Sequence, residues 1–335
     1  MKELIAKNLY KTYEVKEKNG LFKPKNLRTI KAVRDVSITV PRGKIIGLLG
    51  VNGAGKTTTI RMLSAVVEPT SGTLSIDGVD AIENNMKVKD KINMIVGGER
   101  NLYWRLTAVE NLEYFGSLYG LSGEPLRDTI KKLLDMVGLT DAANTPVERY
   151  SKGMKQRLQI ARGLINDPDY LFLDEPTLGL DIIIAKEMRK YIKNLAVQHE
   201  KGLLLTTHYI SEAEELCDYI YVIDKGEIIA QGTKEELKGI LQYKQELEIS
   251  VGNITTNITD ELNSRLKSKD VKIFISNNQG NNIIKFIGDT SQWSDILECL
   301  SINKIQIINV KTKEPELQDI LLNIIENYRR VSETI

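Results

Sequence analysis

The sequence predicts an α/β domain with a largely buried sheet, followed by a smaller α+β domain. Three short apolar runs end in turn or polar residues: KIIGLLG (44–50), YLFLD (170–174) and GLLLTT (202–207). Runs this short fit central parallel strands better than helices. Helical patterns separate the runs, which is typical of an α/β domain. After about residue 241 the strand and helix patterns shorten, and Gly, Asn and Ser mark their joints.

Length and composition limit the class of protein. The chain has 335 residues, which favours two domains. Its 41% hydrophobic and 27% charged residues are ordinary for a soluble globular protein, and a net charge of +1 gives no field that would steer it to nucleic acid. No apolar run approaches the roughly 18 residues of a membrane span, and the first residues are too polar for a signal peptide. Two cysteines and two histidines argue against a disulfide framework or a metal cluster and favour a reducing cytosol.

The first unusual segment is EVKEKNGLFKPKNLRTIKAVR (14–34), which carries seven lysines and arginines against two glutamates. We interpret it as a solvated loop. The alternative is a contact with anionic lipid headgroups.

A glycine-rich turn follows the first apolar run. GVNGAGKTT (50–58) lies between the strand KIIGLL and the helical run TTIRMLSAVV, which is the context that a P-loop requires. Its glycines permit close backbone approach, so successive N–H groups can cradle phosphate oxygens. Lys56 would reach the β- and γ-phosphates, and the Thr57 hydroxyl would ligate Mg²⁺. The predicted ATP-binding residues are Gly50, Val51, Asn52, Gly53, Ala54, Gly55, Lys56, Thr57 and Thr58.

Polar side chains also end the second and third apolar runs. Asp174 is placed to hold Mg²⁺ through water, and Glu175 can point from the strand end toward an attacking water. The alternative is that the two carboxylates cap the next element. His208 follows GLLLTT, where a γ-phosphate sensor would stand, although a histidine after a strand is often structural.

Between these runs, residues 101–165 are rich in helical patterns and form a predicted helical subdomain. YSKGMKQRLQIARGL (150–164) has the spacing of an amphipathic helix with Ser151 as its N-cap. The N–H groups of such a helix start can bind an anion, although a solvated surface helix explains the pattern too. Farther on, YIYVIDKGEIIAQG (219–232) alternates around Asp-Lys-Gly and predicts a β-hairpin.

Together and in this order, the motifs of residues 1 to about 240 resemble the nucleotide-binding subunit of an ABC transporter. YSKGMKQ is similar to the family's signature sequence, LGLD (178–181) to its D-loop, and Tyr13 in KTYE to the aromatic residue that stacks on adenine. The resemblance implies a P-loop NTPase fold, with a RecA-like core and a helical subdomain. It also implies a head-to-tail pair of cassettes, in which Ser151, Gly153 and Asp181 contact the ATP of the partner subunit.

Two positions depart from the family pattern. Lys152 stands where the signature normally has glycine, and it adds a cation near the ATP of the partner. In INMIVGGERNLYWRLTAVENL (92–112), Gly98 replaces the glutamine that ligates Mg²⁺ and couples to the permease, with Glu99 and Arg100 next to it. Glu99 could hold a Mg²⁺-bound water. We favour the alternative, in which Glu99 and Arg100 contact the permease beside the apolar LYWRL segment.

The last 95 residues (241–335) form a predicted α+β accessory domain. ELEISV, VKIFIS, NNIIKFIG and IQIINV are typical of strands, and ITDELNSRLKS, WSDILECLS and PELQDILLNIIENY of helices. No nucleophile–base pair or metal spacing is present. The ending, TKEPELQDILLNIIENY, resembles the tail of the small domain that follows cassettes of drug and antibiotic exporters, which favours export.

The resemblance implies an ATPase subunit that is peripheral on the cytoplasmic side of the cell membrane. ATP binding would close a cassette dimer and hydrolysis would reset it, with ATP and Mg²⁺ as cofactors and a separate integral-membrane permease as partner. The second cassette could be an identical copy or a paralogue, and no nucleic acid partner is expected. One alternative is an importer ATPase with a regulatory C-terminal domain. Another is a soluble ABC ATPase of translation or DNA repair, which the single P-loop and the lack of sustained heptads disfavour.

Overall fold

A computed structural model describes residues 2–16, 27–97, 101–240, 245–252, 272–278, 281–288, 293–313 and 316–334. The chain divides into two compact units: Met1–Lys234 with Asn327–Ile335, and Glu235–Glu326. The strands are β1 (Glu3–Lys16), β2 (Leu27–Pro41), β3 (Ile45–Leu49), β4 (Ser71–Ile76), β5 (Val79–Asp80), β6 (Ile92–Val96), β7 (Tyr170–Asp174), β8 (Gly202–Thr207), β9 (Tyr219–Asp224), β10 (Glu227–Gly232), β11 (Gln245–Val251), β12 (Lys272–Asn278), β13 (Asn281–Gly288) and β14 (Ile307–Lys313). The helices are α1 (Lys56–Leu63), α2 (Asn85–Val88), α3 (Ala108–Leu118), α4 (Gly123–Met136), α5 (Lys152–Gly163), α6 (Ile182–His199), α7 (Ile210–Leu216), α8 (Lys234–Ile240), α9 (Trp293–Ile302) and α10 (Leu317–Thr334).

A six-stranded sheet in the order β10-β9-β3-β8-β7-β6 forms the centre of the first unit. Strands β9, β3, β8, β7 and β6 run parallel, and β10 is antiparallel to β9. The three apolar runs are the predicted central strands β3, β7 and β8, and every residue of the three strands is buried. A strand needs apolar residues on both faces when both faces are covered, which is why these strands do not alternate.

A second, antiparallel sheet has the order β2-β1-β4-β5. Its long strands β1 and β2 pair through most of their length, from Glu3 opposite Pro41 to Lys16 opposite Leu27. The interpretation of residues 14–34 as a loop is therefore wrong for 14–16 and 27–34, while 17–26 lie outside the described residues. The many charged residues suggested a loop, but the outer ends of the two strands face solvent, where a strand tolerates basic side chains as well as a loop does.

Helices α3, α4 and α5 lie within the predicted helical region. Their apolar faces share one core, to which Leu112, Ile130 and Leu158 contribute. Helix α3 begins with a capping box between Thr107 and Glu110, and α5 begins at the predicted N-cap Ser151, whose Oγ accepts a hydrogen bond from the Met154 N–H at 3.2 Å.

The second unit contains an antiparallel sheet in the order β12-β13-β11-β14. Helix α9 packs against it, and Phe286 of β13 and Cys299 of α9 lie in one buried cluster. The four predicted strands correspond to β11, β12, β13 and β14, and the predicted helices WSDILECLS and PELQDILLNIIENY correspond to α9 and α10. The predicted helix ITDELNSRLKS lies outside the described residues. Within the described part of the chain, every helix is too short or too polar to cross a bilayer.

Candidate functional site

Three of the predicted motifs meet at one edge of the central sheet. Strands β3, β8 and β7 are neighbours and run parallel, so their carboxyl ends lie side by side. The P-loop follows β3, His208 follows β8, and Glu175 follows β7. Ligands of open α/β sheets bind at this edge.

The P-loop wraps around the ammonium group of Lys56. Lys56 is 6% exposed, and its Nζ donates hydrogen bonds to the carbonyls of Gly50 at 2.7 Å and Val51 at 3.1 Å. Gly55 has a φ of +108° and lies so near Ala32 that a Cβ would come within 2.8 Å of the Ala32 carbonyl oxygen. Burial lowers the pKa of Lys56, and the charges of Glu175 and Asp174 oppose this shift.

The two carboxylates after β7 have different surroundings. Asp174 is 8% exposed and accepts a hydrogen bond from the Thr206 hydroxyl at 2.5 Å. Glu175 has a φ of +50°, a conformation that non-glycine residues rarely adopt, and its N–H is held by the carbonyl and the hydroxyl of Thr206, each at 3.1 Å. The two side chains also have different partners, Thr206 for Asp174 and His208 for Glu175.

The imidazole of His208 contacts the Glu175 carboxylate. His208 Nδ1 lies 3.1 Å from Glu175 Oε1, and both side chains are partly exposed. The ring of Tyr209 lies against the imidazole, with ring centroids 4.0 Å apart. This contact leaves the second imidazole nitrogen for a further partner, and it orients the carboxylate.

A cavity of about 420 Å³ connects the P-loop with Glu175. This volume lies within the usual range of small-molecule sites. Of the predicted site residues, Asn52, Gly53, Gly55, Lys56, Thr57, Thr58 and Glu175 line it. Sequence reasoning missed five lining residues because they belong to β2 and to the β9–β10 turn, which motif spacing does not connect to the P-loop: Ile30, Lys31, Ala32, Arg34 and Lys225.

Tyr13 lies beside this cavity rather than in its lining. It pairs with Ile30 across the β1–β2 ladder, so the two side chains share one face of the sheet, and Ile30 lines the cavity. The ammonium of Lys11 lies 5.4 Å from the centroid of the Tyr13 ring.

The remaining predicted residues form a second group at the starts of α5 and α6. Ser151 caps α5, and Asp181 caps α6 by accepting a hydrogen bond from the Ile184 N–H at 2.9 Å. A Cβ on Gly153 would lie 2.9 Å from the Ile184 side chain, so the two helix starts are in close contact. Ser151 and Asp181 are exposed at these two helix starts, Gly153 is buried beside Ile184, and none of the three lines the P-loop cavity.

The second group is tied to the first through residues 175–181, a connection that the motifs alone do not indicate. Gln156 of α5 donates a buried hydrogen bond to the Pro176 carbonyl at 2.9 Å. Thr177 donates to the carboxylate of Glu212, which is 2% exposed, at 2.7 Å. A displacement of α5 would therefore be transmitted to the segment that follows Glu175.

Oxygen ligands suitable for Mg²⁺ are present at the strand edge. The carboxylate of Asp174 and the hydroxyl of Thr57 are hard oxygen donors, and Thr57 lines the cavity. Among the described residues, no group of three or more His, Cys, Asp or Glu side chains is placed to hold a metal ion. The candidate Mg²⁺-water ligand Glu99 and its neighbours Gly98 and Arg100 lie outside the described residues.

The sequence is similar to ATP-binding proteins of transporters. The profile described as ABC transporter matches residues 33–178. The linearmycin resistance ATP-binding protein LnrL of Bacillus subtilis (strain 168) is 34% identical over 301 residues, covering 87% of this chain and 93% of the relative. The daunorubicin resistance ATP-binding protein DrrA3 of Streptomyces coeruleorubidus is 33% identical, covering 90% and 94%. The ABC transporter ATP-binding protein NatA of Bacillus subtilis (strain 168) is 44% identical over 210 residues, covering 63% and 85%.

Solved structures support the same fold. A dimeric ATP-binding cassette in a post-hydrolysis state, bound to ADP and Pi, is similar with a TM-score of 0.60 and 27% identity, covering 69% of this chain and 98% of that chain. The ATP-binding subunit of an ABC transporter is similar with a TM-score of 0.58 and 28% identity, covering 70% and 92%.

Proposed function

This chain belongs to the family of ABC transporter ATP-binding proteins, and from this premise we propose that it is the ATP-hydrolysing subunit of a membrane exporter. The observation that carries the proposal is the contact of His208 with Glu175, which lines the P-loop cavity. A carboxylate that is held by an imidazole and faces a phosphate site can accept a proton from a water molecule.

Hydrolysis needs a base, a phosphate clamp and correct placement of the water. Lys56 and the P-loop N–H groups bind the β- and γ-phosphates, since a buried ammonium forms charge-assisted contacts with phosphate oxygens. Glu175 accepts a proton from the water that attacks the γ-phosphorus, and the bond to the β–γ bridging oxygen breaks to give ADP and phosphate. His208 orients Glu175 by donating from Nδ1 to its carboxylate, and when both ring nitrogens carry a proton it can also donate from Nε2 to a γ-phosphate oxygen.

Mg²⁺ is proposed as the metal, held by the Thr57 hydroxyl and, through water, by Asp174. When bound, the ion neutralises charge on the β- and γ-phosphates. Thr206 fixes one oxygen of Asp174 and thus its direction.

A second cassette completes each site. Ser151 and Asp181 are exposed outside the P-loop cavity, and together with the Gly153 N–H at the start of α5 they are proposed to contact the ATP of the partner. A helix N-terminus with unpaired N–H groups suits the γ-phosphate. The similar post-hydrolysis cassette is dimeric, which supports this arrangement.

Export is favoured over import by the names of the relatives. Two relatives that match over nearly their whole length are named for linearmycin and daunorubicin resistance, and another relative is named for Nod factor export. The permease is proposed to dock beside α3, where Tyr103 and Trp104 are each 47% exposed and Tyr103 stacks edge-on against Tyr114 at 4.9 Å. Exposed aromatic clusters of this kind mark protein interfaces.

The test is nucleotide affinity. Lys56→Ala should weaken binding of Mg-ATP, measured by titration calorimetry with a non-hydrolysable analogue, by about tenfold or more because a charge-assisted phosphate contact is lost. Lys87→Ala, at an exposed lysine outside the cavity lining, is the control and should leave affinity unchanged. Unchanged affinity in Lys56→Ala would show that the P-loop does not bind the nucleotide.

A further inference from the structure

We propose that Lys225, in the turn between β9 and β10, is an additional nucleotide-binding residue that contacts the α-phosphate end of the nucleotide. The inference rests on the proposed function and extends it to a residue outside the P-loop, Asp174–Glu175 and His208. Lys225 is exposed and lines the cavity that holds Lys56 and Glu175.

The turn is built against the P-loop. The N–H of Gly226 donates to the Ala54 carbonyl at 2.8 Å, and its carbonyl accepts from the Arg34 N–H at 2.7 Å. A Cβ on Gly226 would lie 2.7 Å from the Ala32 carbonyl oxygen, so the turn is wedged between the P-loop and β2. The position of Lys225 is thereby fixed relative to the phosphate-binding backbone.

Sheet order indicates which end of the nucleotide Lys225 meets. The β9–β10 hairpin lies on one side of β3, whereas β8 and β7 lie on the other. Glu175 and His208, which act at the γ-phosphate, follow β7 and β8. Lys225 therefore approaches the P-loop from the side opposite to the γ-phosphate, where the α-phosphate and the ribose lie.

The backbone at Lys225 is unfavourable for lysine. Lys225 has a φ of +47° and Gly226 a φ of +85°, the pattern of a type I′ turn, whose first central position favours Asn, Asp or Gly. When a turn position is occupied by a residue that it disfavours, and that residue lines a ligand cavity, a role in binding is indicated.

The aspartate that precedes Lys225 has Arg329 as its main charged partner and Lys225 as a weaker one. Asp224 accepts two hydrogen bonds from Arg329, at 2.9 and 2.8 Å, and its side chain is 2% exposed. Arg329 thus neutralises Asp224. Lys31 and Arg34 line the same cavity, and Arg34 also forms an ion pair with Glu227 at 3.5 Å, so Lys225 and Lys31 add positive charge to that of Lys56.

Lys225→Asn separates binding from folding, because asparagine suits the type I′ turn and should keep or raise the melting temperature. In the full-length chain, titration calorimetry with ADP and with a non-hydrolysable ATP analogue should give affinities about three- to tenfold lower for both nucleotides. Lys225→Arg should keep wild-type affinity. The matched control is Lys304→Asn, at another exposed lysine with a φ of +52° that lies outside this cavity, and it should leave both affinities unchanged.

Two results would overturn the inference. One is unchanged affinity for both nucleotides in Lys225→Asn. The other is a loss confined to the triphosphate, which would place the lysine at the γ-phosphate. Lys56→Ala tells the two proposals apart: if it weakens binding while Lys225→Asn does not, the nucleotide site stands and only the role of Lys225 fails.

Discussion

Gly97 follows β6 and lies against the backbone of Asp174 and Glu175, so a larger residue at this position would disturb both carboxylates. Its N–H donates to the Asp174 carbonyl at 2.8 Å. A Cβ at this position would lie 2.7 Å from the Glu175 carbonyl oxygen and 2.8 Å from that of Asp174. Both obstacles are backbone atoms, so they cannot move without displacing the end of β7. The left-handed conformation of Glu175 thus depends on a neighbour that has no side chain.

Gly97→Ala should lower ATP turnover by about tenfold or more and leave ADP affinity within about twofold of the wild type, because small displacements of a base are costly while the P-loop is unaffected. Turnover and calorimetric ADP affinity are the measurements, with circular dichroism to verify folding. Gly239→Ala is the control, since a Cβ there meets nothing within 4 Å. Wild-type turnover in a folded Gly97→Ala protein would show that the end of β7 can move to accommodate the added Cβ without loss of catalysis.

At the scale of elements, α5 begins with an unusual distribution of charge. Its first turn contains no acidic residue, and Lys152 occupies the first helical position, where a cation opposes the helix dipole. Lys152 Nζ donates to the Gly179 carbonyl at 3.3 Å. This contact joins the start of α5 to the segment before α6, and it places a positive charge on the surface proposed to meet the ATP of the partner.

Lys152→Ala is expected to lower steady-state turnover by about three- to tenfold while affinity for ADP stays at the wild-type value, because only the partner's site loses a cation. Helix α5 should become slightly more stable, because the substitution removes a cation from its N-terminus, where the helix dipole is positive. Lys186→Ala, at an exposed lysine of α6, serves as the control. Equal turnover in both variants and the wild type would assign Lys152 no part in the dimer site.

The elements also show what a sequence can predict. Strands β3, β7 and β8 were predictable because strands buried on both faces have continuous apolar runs, and the α5 N-cap because serine has a distinct capping chemistry. The outer end of the β1–β2 hairpin was not, since its exposed residues carry the charges of a loop. The contacts of Thr206 with Asp174 and of Lys225 with the cavity depend on which strands become neighbours, and spacing along the chain does not encode that order.

At the scale of the molecule, the division of the chain does not follow sequence order. Residues 327–335 belong to the first unit, although the second unit precedes them. Arg329 binds the buried Asp224, and Tyr328 donates a hydrogen bond to Glu227. The hydrogen bonds from Arg329 hold the pKa of Asp224 below its usual value, against the effect of burial. The end of the chain therefore stabilises the turn that carries Lys225.

Arg329→Gln should destabilise the protein by about 1–3 kcal/mol, because a buried carboxylate loses its partner while the arginine itself is partly solvated. Since the pKa of Asp224 is lowered, this contribution is complete above the ordinary aspartate pKa and is lost only as the pH falls through the lowered pKa. Urea denaturation from pH 5 to pH 8 should give a constant difference from the wild type. Arg127→Gln, at an exposed arginine of α4, is the control. A difference that vanishes already at pH 5 would mean that Asp224 is not the partner that matters.

Truncation after Gly239 should leave a chain that folds and binds ATP, but with a melting temperature lower by about 2–10 °C, because it too removes the partner of Asp224. Asp224→Asn in the truncated chain should recover part of the loss, since it removes the unpaired charge. A truncated chain that is folded yet does not bind nucleotide would contradict the accessory role of the C-terminal domain.

The central claim is that Glu175 is the base of an ATPase, and the most direct measurement is the turnover of Glu175→Gln beside its nucleotide binding. We expect turnover to fall by about 10²–10⁴, with ATP still bound and a dimer trapped in ATP that sedimentation can detect. Glu187→Gln, at an exposed glutamate of α6, should keep wild-type turnover. Wild-type turnover in Glu175→Gln would contradict the claim, because the cavity beside Lys56 would then hydrolyse ATP without the carboxylate that His208 contacts.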